Sequence, residues 1–376
     1  MSDNTIYDVV IIGGGIAGLT AALHLSKNNY NVCLIEKNTY PNHKVCGEYV
    51  SNEVLEYLAY LEIYPFKCGA TTITQFELST KKGKLLSARL PLGGFGISRY
   101  ALDNLLFQKA KDNITTVFDT VATINATTEE GIAMLQNGMT IKGKIMVGAH
   151  GKRSIIDKSL QRNFILRKSH WLGIKAHYEY DFPENKVALH TFDGGYCGLS
   201  KTETGAVNAC YLVRYQSFKK IGNIDCFQKE VLSANPHLKT FFTNAKPIFK
   251  EPKVISQISF EEKQPVDHHV FMIGDSAGLI HPLCGNGIAM AIHSAKLFVD
   301  TYLEHRKNGS LDFIELEETY TKKWNTTFQK RLIAGRRIQR LFLSSTFTEN
   351  LLTIGKIFPF LIPQIIKKTH GNPISI

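Results

Sequence analysis

Three glycines near the start of the chain have the spacing that a bound dinucleotide requires. They are Gly13, Gly15 and Gly18, and they directly follow an apolar run, Val9 to Ile12, typical of a buried strand. In such a GxGxxG turn the first glycine permits a tight bend and the second lets the backbone approach a pyrophosphate. The third allows the helix to pack closely on the strand, and the pyrophosphate lies at the positive end of that helix.

An acidic residue completes this motif one strand later. A helical pattern without proline follows the glycines, and a second apolar run, Val32 to Ile35, ends on Glu36, whose carboxylate can bind both ribose hydroxyls. The alternative, an ordinary glycine-rich turn, is disfavoured because strand, glycines, helix, strand and acid occur together. The cofactor contacts predicted here are Gly13, Gly15, Ile16, Ala17, Gly18, Glu36 and Lys37.

A second motif, GDSAG at 274–278, places an aspartate after another buried-strand run. At the carboxyl end of a parallel strand, Asp275 can accept hydrogen bonds from a polyol such as the ribityl chain of a flavin. Gly285 and Gly287 then let backbone amides approach the ligand, and the next helix points its positive end at a negatively charged reduced ring. The alternative is that Asp275 only caps a helix. The contacts predicted here are Gly274, Asp275, Pro282, Gly285, Gly287 and Ile288.

Four further side chains have types that suit a redox site. Arg99 stands at a predicted helix start, where a cation is disfavoured unless it has an anionic partner such as a pyrophosphate. Cys46 is a candidate proton donor or a small packed residue. Glu48 is a candidate acid–base group or a solvated loop carboxylate. His281, between GDSAG and Pro282, is the histidine expected nearest to the ring.

Together these motifs resemble the flavoproteins built like aromatic-ring hydroxylases, with the p-hydroxybenzoate hydroxylase fold. The resemblance rests on the GxGxxG with its acid, on Arg99 before ALDNLL, and on GDSAG with PLCGNGIAMA, and it covers about residues 5–305. Within that group the chain is most similar to the geranylgeranyl reductase branch, whose Cys-Gly element is matched by Cys46-Gly47-Glu48. The resemblance implies FAD, a two-domain fold and redox chemistry at the flavin.

The sequence departs from this branch at two elements. The branch carries a GYxWxFPK strand over the flavin, and the corresponding residues 195–201 read GYCGLSK, without its Trp, Phe and Pro. The hydroxylases carry Asp-Gly where this chain has His150-Gly151, which leaves NAD(P)H an expected but open electron donor. No halogenase-type WxWxIP occurs. The substrate pocket is expected between the flavin and the β-rich region, lined by Tyr196, Leu199 and Tyr211.

These residues require an α/β fold: a Rossmann-like FAD-binding domain with an inserted, mostly antiparallel β-sheet substrate domain and C-terminal helices. The character of the sequence changes to β-rich near residue 170 and returns to an α/β pattern near residue 263. The predicted ranges are 1–70, 99–165 and 263–305 for the FAD-binding domain, 71–98 and 166–262 for the substrate domain, and 306–376 for the C-terminal helical region.

Composition narrows the classes of partner and location. The chain has 376 residues and a net charge of +11, which suits an anionic cofactor, a membrane surface or nucleic acid. Nucleic acid is not expected, because the basic residues do not alternate with stacking aromatics. The seven cysteines form no CxxC pair, so no metal site is expected, and with no signal peptide they indicate the cytoplasm. The sequence leaves the oligomeric state open.

A cluster of basic residues lies near the C-terminus. The seven cations from Lys322 to Arg340 are followed by an apolar stretch, 351–366, with Pro359 and Pro363 inside it. Those prolines exclude a regular spanning helix. The favoured interpretation is that these helices close the substrate pocket with their basic face solvated. The alternative is a monotopic lid that rests on an anionic membrane.

The sequence therefore predicts an FAD-dependent oxidoreductase acting on a hydrophobic small molecule of polyketide, phenolic or prenyl type. Two reactions remain open: reduction of a carbon–carbon double bond, and hydroxylation with dioxygen. A flavoprotein that passes electrons to a quinone or a protein partner is the alternative from another class. In each case the flavin performs the redox step and the protein positions it.

Overall fold

The computed structural model describes residues 5–307, 311–342, 345–358 and 360–376. Its strands are β1 (Ile6–Ile12), β2 (Val32–Glu36), β3 (Tyr49–Ser51), β4 (Thr71–Ser79), β5 (Leu85–Gly96), β6 (Thr115–Phe118), β7 (Val121–Ala126), β8 (Gly131–Leu135), β9 (Thr140–Gly148), β10 (Trp171–Glu179), β11 (Lys186–Phe192), β12 (Gly195–Lys201), β13 (Val207–Arg214), β14 (Lys246–Pro247), β15 (Lys253–Ile255), β16 (Val266–Asp267) and β17 (Val270–Met272).

The α-helices alternate with these strands in the first part of the chain and dominate its last quarter. They are α1 (Ile16–Lys27), α2 (Leu55–Tyr60), α3 (Arg99–Ala110), α4 (Ile155–Ser159), α5 (Tyr215–Lys219), α6 (Ile224–Glu230), α7 (Pro236–Asn244), α8 (Gly287–Lys307), α9 (Phe313–Phe342), α10 (Ser345–Ile357) and α11 (Leu361–Thr369).

The first sheet is the predicted Rossmann-like sheet. Its order is β16-β17-β9-β1-β2-β6, with β7 and β8 paired beside β9. β1 lies between two parallel neighbours, so that Ile11 is level with Val147 on one side and Leu34 on the other. All three of these side chains are fully buried, which explains why these strands read as unbroken apolar runs. Their carboxyl ends meet at one edge, where the cofactor motifs lie.

The second sheet has the order β14-β10-β13-β12-β11-β4-β5-β3, with β15 paired to β10. All its pairings are antiparallel except β11 with β4, so the predicted mostly antiparallel sheet is present. It draws strands from 49–96 and from 171–255. The division into domain ranges stays a prediction.

Part of the inserted region is helical, which its β-rich pattern did not indicate. The stretch 215–244 contains α5, α6 and α7, and between residues 250 and 262 the β-rich region has only one short strand, Lys253–Ile255. Asn223 and Asn235 cap α6 and α7 by accepting the backbone N–H of Cys226 and His237. Phe227 and Phe241 from these helices are buried in a core beneath β10 to β13. The asparagine caps were readable signals.

The C-terminal helices pack on the flavin-binding region. The buried face of α9 carries residues spaced three and four apart, so one side of this 30-residue helix is covered. Of its cations, Arg331 points inward and lies 3.5 Å from the buried carboxylate of Glu53. Pro363 occupies the third position of α11, where the first helical turn tolerates it; Pro359 lies outside the described residues. Among the described helices, none is long and apolar enough to cross a membrane. The buried face of α9 consists of Phe313, Leu316, Tyr320, Trp324, Phe328, Leu332, Gly335 and Gln339.

Candidate active site

A cavity of about 760 Å³ runs from the edge of the first sheet, past the second sheet, to the C-terminal helices. This volume falls within the range usual for small-molecule sites. We refer to the part beside the GxGxxG turn and Asp275 as the cofactor end, and to the part beside β4, β5 and α11 as the apolar end. The wall includes these predicted cofactor residues: Gly13, Gly15, Ile16, Ala17, Glu36, Lys37, Arg99, Asp275, Pro282, Gly285, Gly287 and Ile288.

The glycines at the cofactor end differ in what a side chain would meet. A Cβ on Gly18 would lie 2.0 Å from the carbonyl oxygen of Gly13, and Gly13 itself has φ +110° with Ala149 O 2.4 Å from its would-be Cβ. These two glycines serve the chain's own packing, and Gly18 does not line the cavity. By contrast, a Cβ on Gly15 would meet only Arg99 Nη2 at 3.7 Å, and one on Gly287 only Ile280 at 4.0 Å. Open space in front of two backbone turns fits a pyrophosphate and a flavin.

Glu36 is buried and already organises the turn that it faces. Its Oε2 accepts the N–H of Gly14 at 2.7 Å, and its Oε1 accepts the N–H of Asn38 at 3.1 Å. The hydroxyl of Tyr40 donates to the carbonyl of Gly14 at 2.6 Å. Oε1 of Glu36 also accepts Asn38 Nδ2 at 3.3 Å, so of the about four lone pairs that a carboxylate offers, one remains for a ribose hydroxyl. Tyr40 was not identified from the sequence, because nothing local marks it.

Arg99 has the anionic partner that its position at a helix start requires, and that partner is Asp103. Nε donates to Oδ1 at 2.6 Å and Nη2 to Oδ2 at 2.7 Å, while Lys44 Nζ lies 3.1 Å from the same carboxylate. Burial lowers the pKa of Arg99, but the charge and hydrogen bonds of Asp103 raise it by more than that. The net shift of the pKa is upward, so the guanidinium stays charged. The bidentate pair leaves Nη1 for a pyrophosphate. The i, i+4 spacing of Arg99 and Asp103 was a signal that sequence analysis did not use.

Asp275 lines the cavity after a single 3-10 turn, Gly274–Ser276, that follows β17. The residue before that turn, Ile273, provides no side-chain cap, and within the described residues the carboxylate of Asp275 makes no hydrogen bond. Its backbone carbonyl instead accepts Lys263 Nζ at 2.7 Å. This geometry gives no support to a capping role and leaves the carboxylate available to a ribityl chain. Gly274 is buried beside Ala17 and does not line the cavity.

The loop from Lys44 to Glu48, which carries the predicted catalytic residues, is held by the second sheet. Three of its backbone carbonyls accept hydrogen bonds from side chains on β10, β13 and β12. This loop therefore has its position fixed by residues more than 120 positions away in sequence. The bonds run from Lys175 Nζ to Lys44 O (3.2 Å), from Asn208 Nδ2 to Cys46 O (3.1 Å) and from Ser200 Oγ to Gly47 O (3.2 Å).

Glu48 ends this loop as a fully buried anion. One carboxylate oxygen accepts Lys175 Nζ at 2.5 Å and the N–H of Arg99 at 2.6 Å, and the other lies 2.6 Å from His177 Nε2. Burial raises the pKa of Glu48, but the hydrogen bond from His177 and the charge of Lys175 lower it by more than burial raises it. The net shift of the pKa is therefore downward. A carboxylate so fully engaged suits positioning of the loop better than proton transfer.

Cys46 and His281 have different positions relative to the cavity. Cys46 lines it, is half-buried, and its Sγ accepts the N–H of Glu48 at 3.5 Å. His281 lies behind the wall, in contact with Trp171, Tyr196 and Phe260. Burial lowers the pKa of His281 to about 3, so its imidazole is neutral at ordinary pH. The geometry thus brings Cys46, but not His281, to the cofactor end.

One group of potential metal ligands occurs in the described part of the chain. Atoms of His43, Glu48 and His177 lie within 4.8 Å of one another. However, the ammonium of Lys175 already neutralises Glu48, and a divalent ion would face that second cation at close range. Burial lowers the pKa of His43 to about 4, and its ring packs on Tyr100. We interpret this group as a buried ion pair with aromatic packing.

The apolar end is assembled from distant parts of the chain. The predicted substrate residues Tyr196, Leu199 and Tyr211 all line the cavity from β12 and β13. Gly198, between them, stands where the GYxWxFPK pattern has its Trp, and a Cβ there would meet nothing nearer than 3.7 Å. The C-terminal helices line this end of the cavity, which the favoured interpretation of the sequence expected, but none of the individual wall residues on those helices was predicted. The apolar residues of the remaining wall include Phe76, Leu78, Leu90, Val187, Leu189, Leu212, Ile338, Phe342, Leu351, Ile362, Ile365 and Ile366.

Comparison with known proteins gives consistent matches. A family model described as "FAD dependent oxidoreductase" matches residues 8–52, which include the GxGxxG turn and Glu36. The digeranylgeranylglycerophospholipid reductase of Methanococcus vannielii is 26% identical over 402 residues, covering 96% of this chain and 95% of the relative.

Two solved structures share the fold at 17% sequence identity. The flavin-dependent brominase Bmp2 superposes with a TM-score of 0.78, covering 96% of this chain and 93% of that one. A geranylgeranyl bacteriochlorophyll reductase-like protein of Thermoplasma acidophilum superposes with a TM-score of 0.75, covering 93% and 91%. The open space before Gly15 and Gly287 and the chemistry of Glu36, Arg99 and Asp275 fit the same cofactor. The chain is an FAD-dependent oxidoreductase that is similar in sequence to a geranylgeranyl-lipid reductase and shares its fold with a flavin-dependent brominase.

Proposed function

We propose that this enzyme reduces carbon–carbon double bonds of a hydrophobic, prenyl-type small molecule. The observation that carries the proposal is the continuity of the cavity: the same cavity that contains the cofactor end continues into an apolar end lined by aliphatic and aromatic side chains. The name of the Methanococcus relative, a reductase of a geranylgeranyl lipid, supports the same substrate class. When bound, FAD supplies the hydride equivalent for such a reduction.

The residues of the chain divide the remaining tasks. Glu36, Arg99 and Asp275 hold the cofactor, and the apolar end excludes water and accepts the aliphatic chain by burial of its surface. Reduction of a double bond also requires one proton. The thiol of Cys46 lines the cavity next to the cofactor end and is the proton donor that we propose, with solvent restoring its proton afterwards.

The test is a single turnover without dioxygen. Holoenzyme reduced with dithionite is mixed anaerobically with digeranylgeranylglycerophospholipid, and the products are analysed by mass spectrometry for a gain of two hydrogens per double bond. Cys46→Ala is expected to lower the rate about a hundred-fold, in the range of a lost general acid. Cys210→Ala is the matched control, since Cys210 also lines the cavity but lies on β13. Absence of any anaerobic product would contradict the proposal.

Hydroxylation with dioxygen is the second candidate. It is supported by a shared fold with a probable FAD-dependent monooxygenase of Pseudomonas aeruginosa, which superposes with a TM-score of 0.73. It is also favoured by the absence of a bulky residue at Gly198, which leaves room for a ring. Under this alternative, reduced holoenzyme yields product only after air is admitted, and the product carries an oxygen atom from labelled dioxygen. A quinone reduced by the enzyme with neither product would favour the electron-carrier alternative.

We further propose NAD(P)H as the transient electron donor. The support is a set of cations, Lys152, Arg153 and Lys253, that line the cavity beside Gly151 and could receive dinucleotide phosphates. Anaerobic stopped-flow mixing of oxidised holoenzyme with NADH and NADPH measures the donor directly. Lys152→Gln is expected to raise the donor's Kd about ten-fold, while Lys219→Gln, an exposed lysine at the end of α5, leaves it unchanged. Equal, very slow reduction by both would contradict this assignment.

A further inference from the structure

Four large apolar side chains are exposed together where α10 gives way to α11. Ile354 and Ile357 lie in the last turn of α10, and Phe358 and Phe360 follow. The two phenylalanine rings pack edge to face with centroids 6.1 Å apart. We name these four residues the apolar patch. Their exposed fractions are 46% for Ile354, 63% for Ile357, 48% for Phe358 and 59% for Phe360.

The other face of the same two helices forms part of the cavity wall. Leu352 and Ile362 are buried, and a Cβ on Gly355 would meet side-chain carbons of Ile362 and of Leu86 on β5, each at 3.1 Å. This close packing holds α10 and α11 against the second sheet. Ile365 and Ile366 from α11 line the apolar end. The apolar patch is therefore only one helix thickness away from the proposed substrate.

The segment that carries the apolar patch has charges of one sign. Residues 351–376 contain no Asp or Glu, whereas Lys356 lies within the patch and Lys367 and Lys368 in the last turn of α11. Within the described residues, none of these three lysines forms an ion pair. The acid at the start of α10, Glu349, is paired with Lys84 at 2.9 Å. The surface thus combines exposed aromatic and aliphatic groups with unpaired cations.

From these observations we propose that the apolar patch and its three lysines dock the enzyme on an anionic lipid bilayer. Phe358, Phe360 and the two isoleucines enter the headgroup region, while the lysines contact acidic headgroups. A bilayer fits better than a second copy of this chain, because two such surfaces brought together would oppose three cations with three cations. The docking follows from surface chemistry and does not depend on the proposed reaction.

The experiment is co-sedimentation of full-length holoenzyme with vesicles of phosphatidylcholine and increasing phosphatidylserine. Wild type is expected to pellet with phosphatidylserine vesicles at low salt, to pellet less with pure phosphatidylcholine, and to be released by high salt. The triple change Lys356→Gln, Lys367→Gln and Lys368→Gln removes three charges worth about 1 kcal/mol each, so the partition coefficient should fall about a hundred-fold.

Matched control variants distinguish binding through the apolar patch from binding through surface charge or exposed apolar residues elsewhere. Lys219→Gln, Lys220→Gln and Lys229→Gln remove three exposed lysines from the inserted region, and should leave binding unchanged. For the apolar part, Ile357→Ser with Phe360→Ser is compared with Ile155→Ser and Leu166→Ser, which change two exposed apolar residues elsewhere. Flavin absorbance and melting temperature confirm that each variant is folded, since all these side chains are at the surface.

Three outcomes would overturn the inference. Wild type that stays in the supernatant with acidic vesicles at low salt would exclude docking. Equal losses in patch variants and controls would assign binding to diffuse charge. Patch variants that alter the sedimentation coefficient of the free protein but not vesicle binding would identify a second copy of the chain as the occupant. Retained vesicle binding with no reductase activity would instead leave docking intact and contradict only the proposed function.

Discussion

The two ends of the cavity are held in place in different ways. The cofactor end consists of two backbone turns and a few charged side chains, of which Glu36 and Arg99 are fixed by short bonds to Gly14 and Asp103. The apolar end consists of side chains from β4, β5, β11 to β13 and the C-terminal helices. No neighbouring residue can take over the close approach of a glycine backbone to the cofactor or the placement of a charged side chain. Apolar packing, in contrast, tolerates changes that conserve volume. Substitutions at the cofactor end should abolish function, and those at the apolar end should alter specificity.

The largest effect on the cofactor is expected from Gly15→Val. The new side chain has room within the protein itself, because only Arg99 Nη2 lies near, but it occupies the space expected for the pyrophosphate. Each lost bond to a charged group is worth roughly 1.5–3 kcal/mol, so FAD affinity should fall about a hundred-fold or more. Flavin absorbance and a thermal melt should show folded, largely colourless protein. Gly18→Val is the contrasting variant and should fail to fold, since its Cβ would meet Gly13 O at 2.0 Å.

The loop between the two ends is the next most sensitive element. Lys175→Met leaves Glu48 buried without its ammonium partner, and breaking a buried pair in this way costs about 3–5 kcal/mol of unfolding free energy. Urea unfolding at neutral pH measures this loss. The double variant Glu48→Gln with Lys175→Met should recover part of it, because no buried charge remains unpaired. If the single and the double variant were equally unstable, the ion pair would not be what holds the loop.

The same pair predicts a pH dependence. The folded-state pKa of Glu48 lies below its ordinary value of 4.5, so the unfolded chain binds the proton first as pH falls. The stabilisation from Glu48 is therefore fully present above pH 4.5 and is lost as pH falls through the folded-state pKa. Glu48→Gln should flatten this part of the stability curve. A curve identical to wild type in acid would contradict the downward shift.

Asp103→Asn is expected to have an intermediate effect on the cofactor and also to lower stability, because Asp103 is the buried partner of both Arg99 and Lys44. The amide cannot accept two charge-assisted bonds from Arg99, so the guanidinium loses its fixed orientation. FAD affinity, measured by titration of apoenzyme, should fall about ten-fold, corresponding to about 1.4 kcal/mol. Asn104→Ala, on the same helix, is the matched control. An unchanged Kd for FAD in Asp103→Asn would show that Arg99 does not need this orientation.

Gly198→Trp should act on the apolar end alone. The position has open space in front of it, so the indole enters the cavity and shortens the room for an aliphatic chain. We expect unchanged FAD occupancy, with kcat/KM for long prenyl substrates lowered about ten-fold or more relative to short ones, because overpacking costs about 1–3 kcal/mol. Leu199→Met conserves volume in the same strand and should leave the ratio unchanged. A uniform loss for all chain lengths would indicate general damage.

The same contrast explains what sequence could foresee. The GxGxxG turn, Glu36, Asp275 and Gly287 lie in short motifs whose spacing is set by one turn or one strand, so their place in the cavity was predictable. Lys175 and Asn208 belong to strands that read as ordinary β-sheet, and only the folded chain brings them to the loop at Cys46. The C-terminal helices were expected to close the pocket, but which of their side chains line its wall depends on how the helices pack, which no local pattern encodes.

The smallest effect on turnover is expected from His281→Phe. The imidazole lies behind the cavity wall with its ring 4.3 Å from that of Phe260, and its pKa of about 3 keeps it neutral wherever the enzyme is folded. Phenylalanine preserves the ring packing but removes Nδ1, which accepts the N–H of Leu283 at 3.4 Å. Because no titrating group is lost from the cavity wall, the pH–rate profile should match wild type. The free energy of unfolding should differ between the two proteins in acid. In the unfolded wild-type chain His281 is protonated near pH 6.5, whereas in the folded chain it is protonated only near pH 3. Wild type therefore loses about 2 kcal/mol by pH 5 that the variant keeps. If the pH–rate profile of His281→Phe lost one limb, His281 would have a catalytic role after all.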